Sequence, residues 1–230
     1  MPCGDPFGDG DVRVTTMPHR PSRTVLAMVA LFALISVLVV TGFTLARDEA
    51  LLRAIGGVRT PELTDVMLAF TLAGDGVFEV PMGVGIALLL WQMGHGDWAR
   101  RYVLAGVTGE LLYLLLKVSF QRPRPEIITR LGEAGWYSYP SGHTMMGPII
   151  WTSGFLLLAR ATEQRLARAI LTAVAWIAPV AIGASRLYLG VHYPSDVLAA
   201  FAIGTAWAIW WWPSVSSASS ESTSSAPAIK

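Results

Sequence analysis

The chain has 230 residues, of which 53% are apolar and only 14% charged, with a mean hydropathy of +0.50. That balance is too apolar for an ordinary water-soluble domain and indicates a chain whose solvent is a bilayer. A formal net charge of +1 argues against a nucleic-acid binder, and the lone Cys3 excludes an internal disulfide framework or a thiolate metal cluster. Any anion site must therefore come from cations placed locally.

In chain order, residues 1–23 are polar and carry Arg13, Arg20 and Arg23, which predicts a disordered tail on the cytoplasmic side. The first span is expected over residues 25–46, an apolar run longer than a signal-peptide core. Residues 47–65, with charges around Gly56-Gly57 and Pro61, suit a loop with an interfacial helix. The second apolar run, residues 66–93, is interrupted by Gly74-Asp75-Gly76 and by Glu79-Val80-Pro81, so a broken helix is predicted there. Asp75 and Glu79 are read as solvated where that helix starts above the membrane.

A polar turn with Asp97, Arg100 and Arg101 leads to a third span at 102–120. Residues 121–141 form a polar loop, and further spans follow at 144–159, 167–184 and 197–212. The Ser-rich stretch 214–230 is expected to be disordered. The fold class is thus all-α: a polytopic membrane protein whose domain, residues 24–213, is a six-helix bundle between two tails. Six spans put both termini on one side. Arg100-Arg101 and Arg160, Arg165 and Arg168 fall on that side, which the positive-inside rule makes cytoplasmic, so the 121–141 loop faces outward.

Three segments concentrate cations, histidines and turn residues at that outer end: 117–125, with Lys117, Arg124 and Pro125; 140–143, Pro140-Ser141-Gly142-His143; and 185–196, with Ser185, Arg186, His192 and Asp196. Lys117, Arg124 and Arg186 near the apolar boundary are costly unless they meet an anion, and a phosphate dianion is the natural partner. Arginine's planar fork spans two phosphate oxygens and lysine adds a point charge. Ser141 and Gly142 open the fourth span, where free backbone N–H groups can face an anion. Two histidines at separate span ends can divide the roles of nucleophile and proton donor. Asp196, four residues after His192, can hold one of its ring nitrogens and expose the other, which favours His192 as nucleophile and His143 as general acid.

These segments resemble the three-part signature of the type-2 phosphatidic acid phosphatase family, which also includes vanadium haloperoxidases. Lys, six residues, Arg-Pro falls on Lys117, Arg124 and Pro125, and Pro-Ser-Gly-His on residues 140–143. Ser-Arg, five residues, His, three residues, Asp falls on Ser185, Arg186, His192 and Asp196. The resemblance implies a six-helix membrane phosphatase in which His192 attacks phosphorus, Asp196 orients it and His143 protonates the leaving oxygen. Lys117, Arg124, Arg186, Ser141 and Gly142 hold the phosphate, and no metal or cofactor is needed. It further implies a bacterial plasma-membrane enzyme acting on a lipid phosphate, with undecaprenyl pyrophosphate first and phosphatidylglycerophosphate and phosphatidic acid next. Lipid phosphotransfer by the same intermediate, and a non-catalytic scaffold or transporter, are the competing readings. A haloperoxidase is disfavoured because those relatives are soluble.

Taken singly, a span-end His is more often an interfacial hydrogen-bonding residue, and a span-end Lys or Arg snorkels to headgroups; the joint spacing is what points to catalysis. Glu110, two turns below Lys117 on nearly the same face, is read as a bundle-facing carboxylate bonded to a neighbouring helix rather than as a polar contact below the site. Trp136, Tyr137, Tyr139 and residues 210–212 are read as interfacial belt.

Overall fold

The computed structural model describes residues 21–212; the two expected tails lie outside them, apart from the last residues of the first. Every regular element among the described residues is helical: α1 (Arg23–Val40), α2 (Leu45–Gly56), α3 (Pro61–Ala73), α4 (Gly76–Gln92), α5 (Gly96–Phe120), α6 (Gly142–Gly147), a π turn (Pro148–Thr152), α7 (Ser153–Ala161), α8 (Arg165–Tyr188) and α9 (Pro194–Trp211). The all-α expectation holds. Helices α1, α5 and α8 are each long and apolar enough to cross a membrane, and α3 with α4 makes a fourth candidate, bent by 51°.

Local chemistry sets these boundaries. The Ser22 hydroxyl accepts from Val25 N at 3.2 Å and caps α1. The first apolar run is shorter than expected: Gly42 turns the chain at φ 76°, so Ala46 belongs to α2. The predicted break in the second run falls at Gly74-Asp75, where the Asp75 carboxylate accepts from Val77 N at 2.9 Å and starts α4. The expected polar turn is instead the first part of α5, with Asp97, Arg100 and Arg101 in its opening turns. Pro148 offers no N–H to the ladder, and the helix passes it through the π turn.

The stretch from α6 through α7 is the packed axis of the bundle. Met145, Ile149 and Leu157 are fully buried in it, against α4, α5, α8 and α9. Between apolar helices in lipid, close backbone approach does the holding. Gly204 of α9 lies directly against the Met145 carbonyl, and a Cβ on Gly147 would stand 2.8 Å from Pro179. α1 packs on α9 and α3 on α8. Apolar side chains such as Leu26, Val37, Leu111, Leu115, Trp176 and Ile177 are left exposed on the outer faces of α1, α5 and α8, as a hydrocarbon solvent requires.

Tyr139 is not a belt residue. It is fully buried, its hydroxyl shares a 2.7 Å hydrogen bond with Ser36 of α1, and its ring packs on Phe32 and Phe120. Trp136 is exposed, as expected. The C-terminal end of α5, the start of α6, the end of α8 and the start of α9 meet at one end of the bundle.

Candidate active site

Lys117 lies in the last turn of α5, buried, with Nζ donating to the Tyr113 hydroxyl at 2.7 Å. α5 ends at Gln121, whose left-handed φ of 48° swings the chain into the polar loop. That loop delivers Arg122 and Arg124. Arg124 Nη2 donates to Gly135 O at 2.6 Å and Nη1 to Val191 O at 2.8 Å, so its fork is held by main-chain carbonyls. Arg186, in the last turn of α8, donates through Nη1 to Thr71 Oγ1, while its Nε is buried with no partner among the described residues. A buried guanidinium N–H without an acceptor in the protein is suited to meet an anion.

Gly190, at φ 72°, turns the chain from α8 toward His192. A Cβ there would sit 2.8 Å from Arg59 Nη2, and Arg59 itself clamps the end of α8 by donating to Tyr188 O at 2.6 Å. His192 is buried between two partners. Nδ1 stands 3.4 Å from Asp196 Oδ2, a close approach but not an aligned hydrogen bond, and Nε2 stands 3.2 Å from Arg124 Nη1. A guanidinium only donates, so Nε2 must be the acceptor nitrogen and Nδ1 carries the proton toward Asp196. Burial first, and then the cations of Arg124, Arg186 and Lys117, push the His192 imidazole well below its usual range, so it is neutral at physiological pH.

Asp196, at the third position of α9, is fully buried and reaches back to accept from Tyr193 N at 2.9 Å. His143 opens α6 in the neighbourhood of Arg186, His192 and Lys117. A Cβ on Gly142 would stand 2.9 Å from the Tyr113 hydroxyl, so glycine is what lets α6 reach the Lys117–Tyr113 pair. All eight residues singled out in the sequence therefore gather at one end of the bundle. Ser141 differs in detail: its N–H points to the Asp196 carbonyl at 3.4 Å and its hydroxyl accepts from Thr144 at 2.9 Å, both within the protein.

The structure adds residues that the motif reading passed over. Arg122 Nη1 donates to Asp196 at 2.5 Å and Nη2 to Asp48 of α2 at 2.9 Å, with the guanidinium 4.0 Å above the Tyr193 ring. Asp48 also accepts from Ser195 N at 3.0 Å and Ser195 Oγ at 2.6 Å. Burial works against charge on Arg122, but the Asp196 and Asp48 carboxylates outweigh it and hold its pKa above the usual value. The sequence signal for Arg122 was its place in a polar loop two residues before Arg124; Asp48 gave none.

Beneath the cations a groove of about 660 Å³ opens sideways between α4 and α5. Tyr113, Gly142 and His143 line its upper end, and Glu110 and Glu79 lie below. Two readings change here. Glu79 is buried rather than solvated, and Glu110 faces the groove without a hydrogen bond to another helix among the described residues.

An all-helical membrane protein with a cationic cradle around a neutral, carboxylate-backed histidine is suited to bind a phosphoryl group. Residues 98–219 match the PAP2 superfamily, and the chain belongs to it, among its phosphatases. It is 29% identical over 175 residues to phosphatidylglycerophosphatase B of Bacillus subtilis, covering 75% of this chain and 85% of that one. It is 30% identical over 129 residues to undecaprenyl-diphosphatase BcrC of the same organism, covering 51% and 60%. The fold is similar to the crystal structure of the PAP2-type phosphatidylglycerolphosphate phosphatase of Bacillus subtilis, with a TM-score of 0.77 at 26% identity, covering 83% of this chain and 94% of that one.

Proposed function

We propose that this phosphatase hydrolyses a lipid phosphate ester through a phosphohistidine on His192. The observation that carries this reading is the arrangement about His192: Nε2 is the unprotonated nitrogen and lies within the cationic cradle beside Arg124, and Nδ1–H faces a buried carboxylate. In the first step the Nε2 lone pair bonds to phosphorus, the bond from phosphorus to the lipid oxygen breaks, and His143 gives that oxygen its proton. Lys117, Arg124 and Arg186 neutralise charge on the equatorial oxygens, with Gly142 allowing close approach and Ser141 shaping the turn. Asp196 stabilises the charge that the imidazole gains. In the second step His143 takes a proton from water, the water oxygen bonds to phosphorus, the P–N bond breaks and phosphate leaves.

In the same reading the chain crosses the membrane six times: α1, the bent α3–α4 pair, α5, the α6-to-α7 segment, α8 and α9. The site faces outward and both ends lie in the cytoplasm, as the arginines near residues 100 and 160–168 favour. Undecaprenyl pyrophosphate leads on resemblance. The phosphatidylglycerophosphatase is matched over 85% of its own length against 60% for the undecaprenyl-diphosphatase, and this moves a glycerophospholipid monoester to first place, with the diphosphate second.

The test is to mix purified protein with a ³²P-labelled lipid phosphomonoester, quench rapidly in alkali and look for protein-bound label. Alkali-stable, acid-labile label that is absent from His192→Ala supports the mechanism. Full phosphate release by His192→Ala would overturn it.

A further inference from the structure

The groove below the cradle is apolar except for Tyr113, Tyr102, Glu110, Glu79 and the His143 ring, and no lysine or arginine lines it. Tyr102 is already spent, donating to Ile150 O at 3.1 Å. Glu79 is 6% exposed, lines the groove, and its Oε1 is buried without a hydrogen-bond partner among the described residues. Glu110 lies across the groove on α5, about 10 Å along the helix from Lys117. Glu79 is three residues into α4, and Gly74, just before that helix, abuts the His143 ring. An unpartnered polar group in such a place costs free energy unless something satisfies it.

Whatever leaves from phosphorus points toward His143 and so into this groove. Resting on the phosphatase reading above, we infer that Glu79 and Glu110 form a recognition point for the oxygen-bearing backbone of a glycerolipid phosphomonoester. The carbons next to the phosphoester in such a lipid carry hydroxyl or ester oxygens, which reach a carboxyl group as hydrogen-bonding partners within a few bonds of the leaving oxygen. A polyprenyl phosphate carries none there, and its entry leaves the Glu79 oxygen unsatisfied. A polyprenyl diphosphate brings a second phosphoryl group to a stretch that offers carboxyls and no cation. The groove thus selects a neutral, hydrogen-bonding leaving group over either. Glu79 and Glu110 act here on specificity, and His143 retains the proton transfer.

The experiment compares kcat/KM for dioleoyl phosphatidic acid, farnesyl phosphate and farnesyl pyrophosphate in one detergent, for wild type, Glu79→Leu, Glu79→Gln and Glu110→Leu, with His192→Ala as control. Wild type is expected to prefer the glycerolipid. Glu79→Leu is expected to lower its kcat/KM about tenfold while farnesyl phosphate holds or rises, and Glu79→Gln, which keeps hydrogen-bonding capacity, to retain the preference. Glu110→Leu, at the exposed mouth, carries the same expectation and replaces Glu79→Leu if that variant does not survive extraction. A wild-type preference for farnesyl substrates, or an equal loss on all three, overturns the inference while leaving the phosphatase reading intact. Activity in His192→Ala overturns the reading beneath it.

Discussion

Replacing Arg122 by Met tests whether the buried ion network, rather than the histidine and its carboxylate alone, sets catalytic competence. Arg122 bridges Asp196 and Asp48, at 2.5 and 2.9 Å, with both carboxylates nearly or fully buried. Met fills similar volume but leaves the two acids facing each other without a counter-charge. Removing one partner of a buried pair costs about 3–5 kcal/mol, because the remaining charge is stranded. For a chain of this size that is a fall of roughly 10 °C in the apparent midpoint.

Activity should fall as well. Asp196 relieves its stranded charge by taking up a proton, and a neutral carboxyl no longer stabilises the imidazolium-like charge that forms on His192. A loss of kcat of at least about 100-fold follows by analogy with other carboxylate-backed histidines. Arg122→Lys returns the charge without the bidentate fork and should recover part of both losses. Asp48→Asn leaves Arg122 paired to Asp196 and should cost less than Arg122→Met on either measure. Thermal melts in detergent and phosphate release from a lipid monoester give the two readouts. An Arg122→Met protein with wild-type kcat would refute the coupling.

Two further outcomes are expected. His143→Ala should lose about 100-fold or more on an alkyl lipid phosphate but much less on an aryl phosphate whose leaving group needs no proton, whereas His192→Ala should lose both; parallel initial rates on the two esters decide it. Because the folded-state pKa of His192 is depressed, the unfolded chain takes up a proton below about pH 6.5 that the native state refuses. The contribution of His192 is therefore intact above that pH and declines below it, by about 1.4 kcal/mol per unit, so the apparent melting point should drop further between pH 7 and 5.5 in wild type than in His192→Gln.

The helical plan and the eight gathered site residues were legible because each rests on short-range signals. Apolar runs mark helices that need no partner to reveal them, and the chemistry-bearing residues sit in three compact segments. The break at Gly74-Asp75 was legible for the same reason, since glycines flank a residue that can cap the next helix. The Arg122–Asp48 pair was not: its members are 74 residues apart, and a single Asp in an interfacial helix looks like any solvated charge. The burial of Glu79 is not legible because an acid three residues after a turn usually faces water, and only the packing of α4 against α5 and the α6-to-α7 axis encloses it. The early end of α1 at Val40 turns on one glycine inside an otherwise continuous apolar run.

Cations and acids are also sorted by depth. Lys117, Arg124 and Arg186 gather about His192, while the groove lined by His143 holds Glu110 and Glu79 and no cation. A phosphate dianion placed at His143 is drawn toward the cradle, and a second anion finds no cation in the space below. In the proposed reading the orientation of the substrate then follows from charge before any tail contact is made, with the phosphate in the cradle and the leaving group in the groove. Arg122 lies outside this gradient because its charge is cancelled by Asp48 and Asp196. In the proposed reading this fourth cation near the site therefore supports His192 from behind instead of competing for the anion.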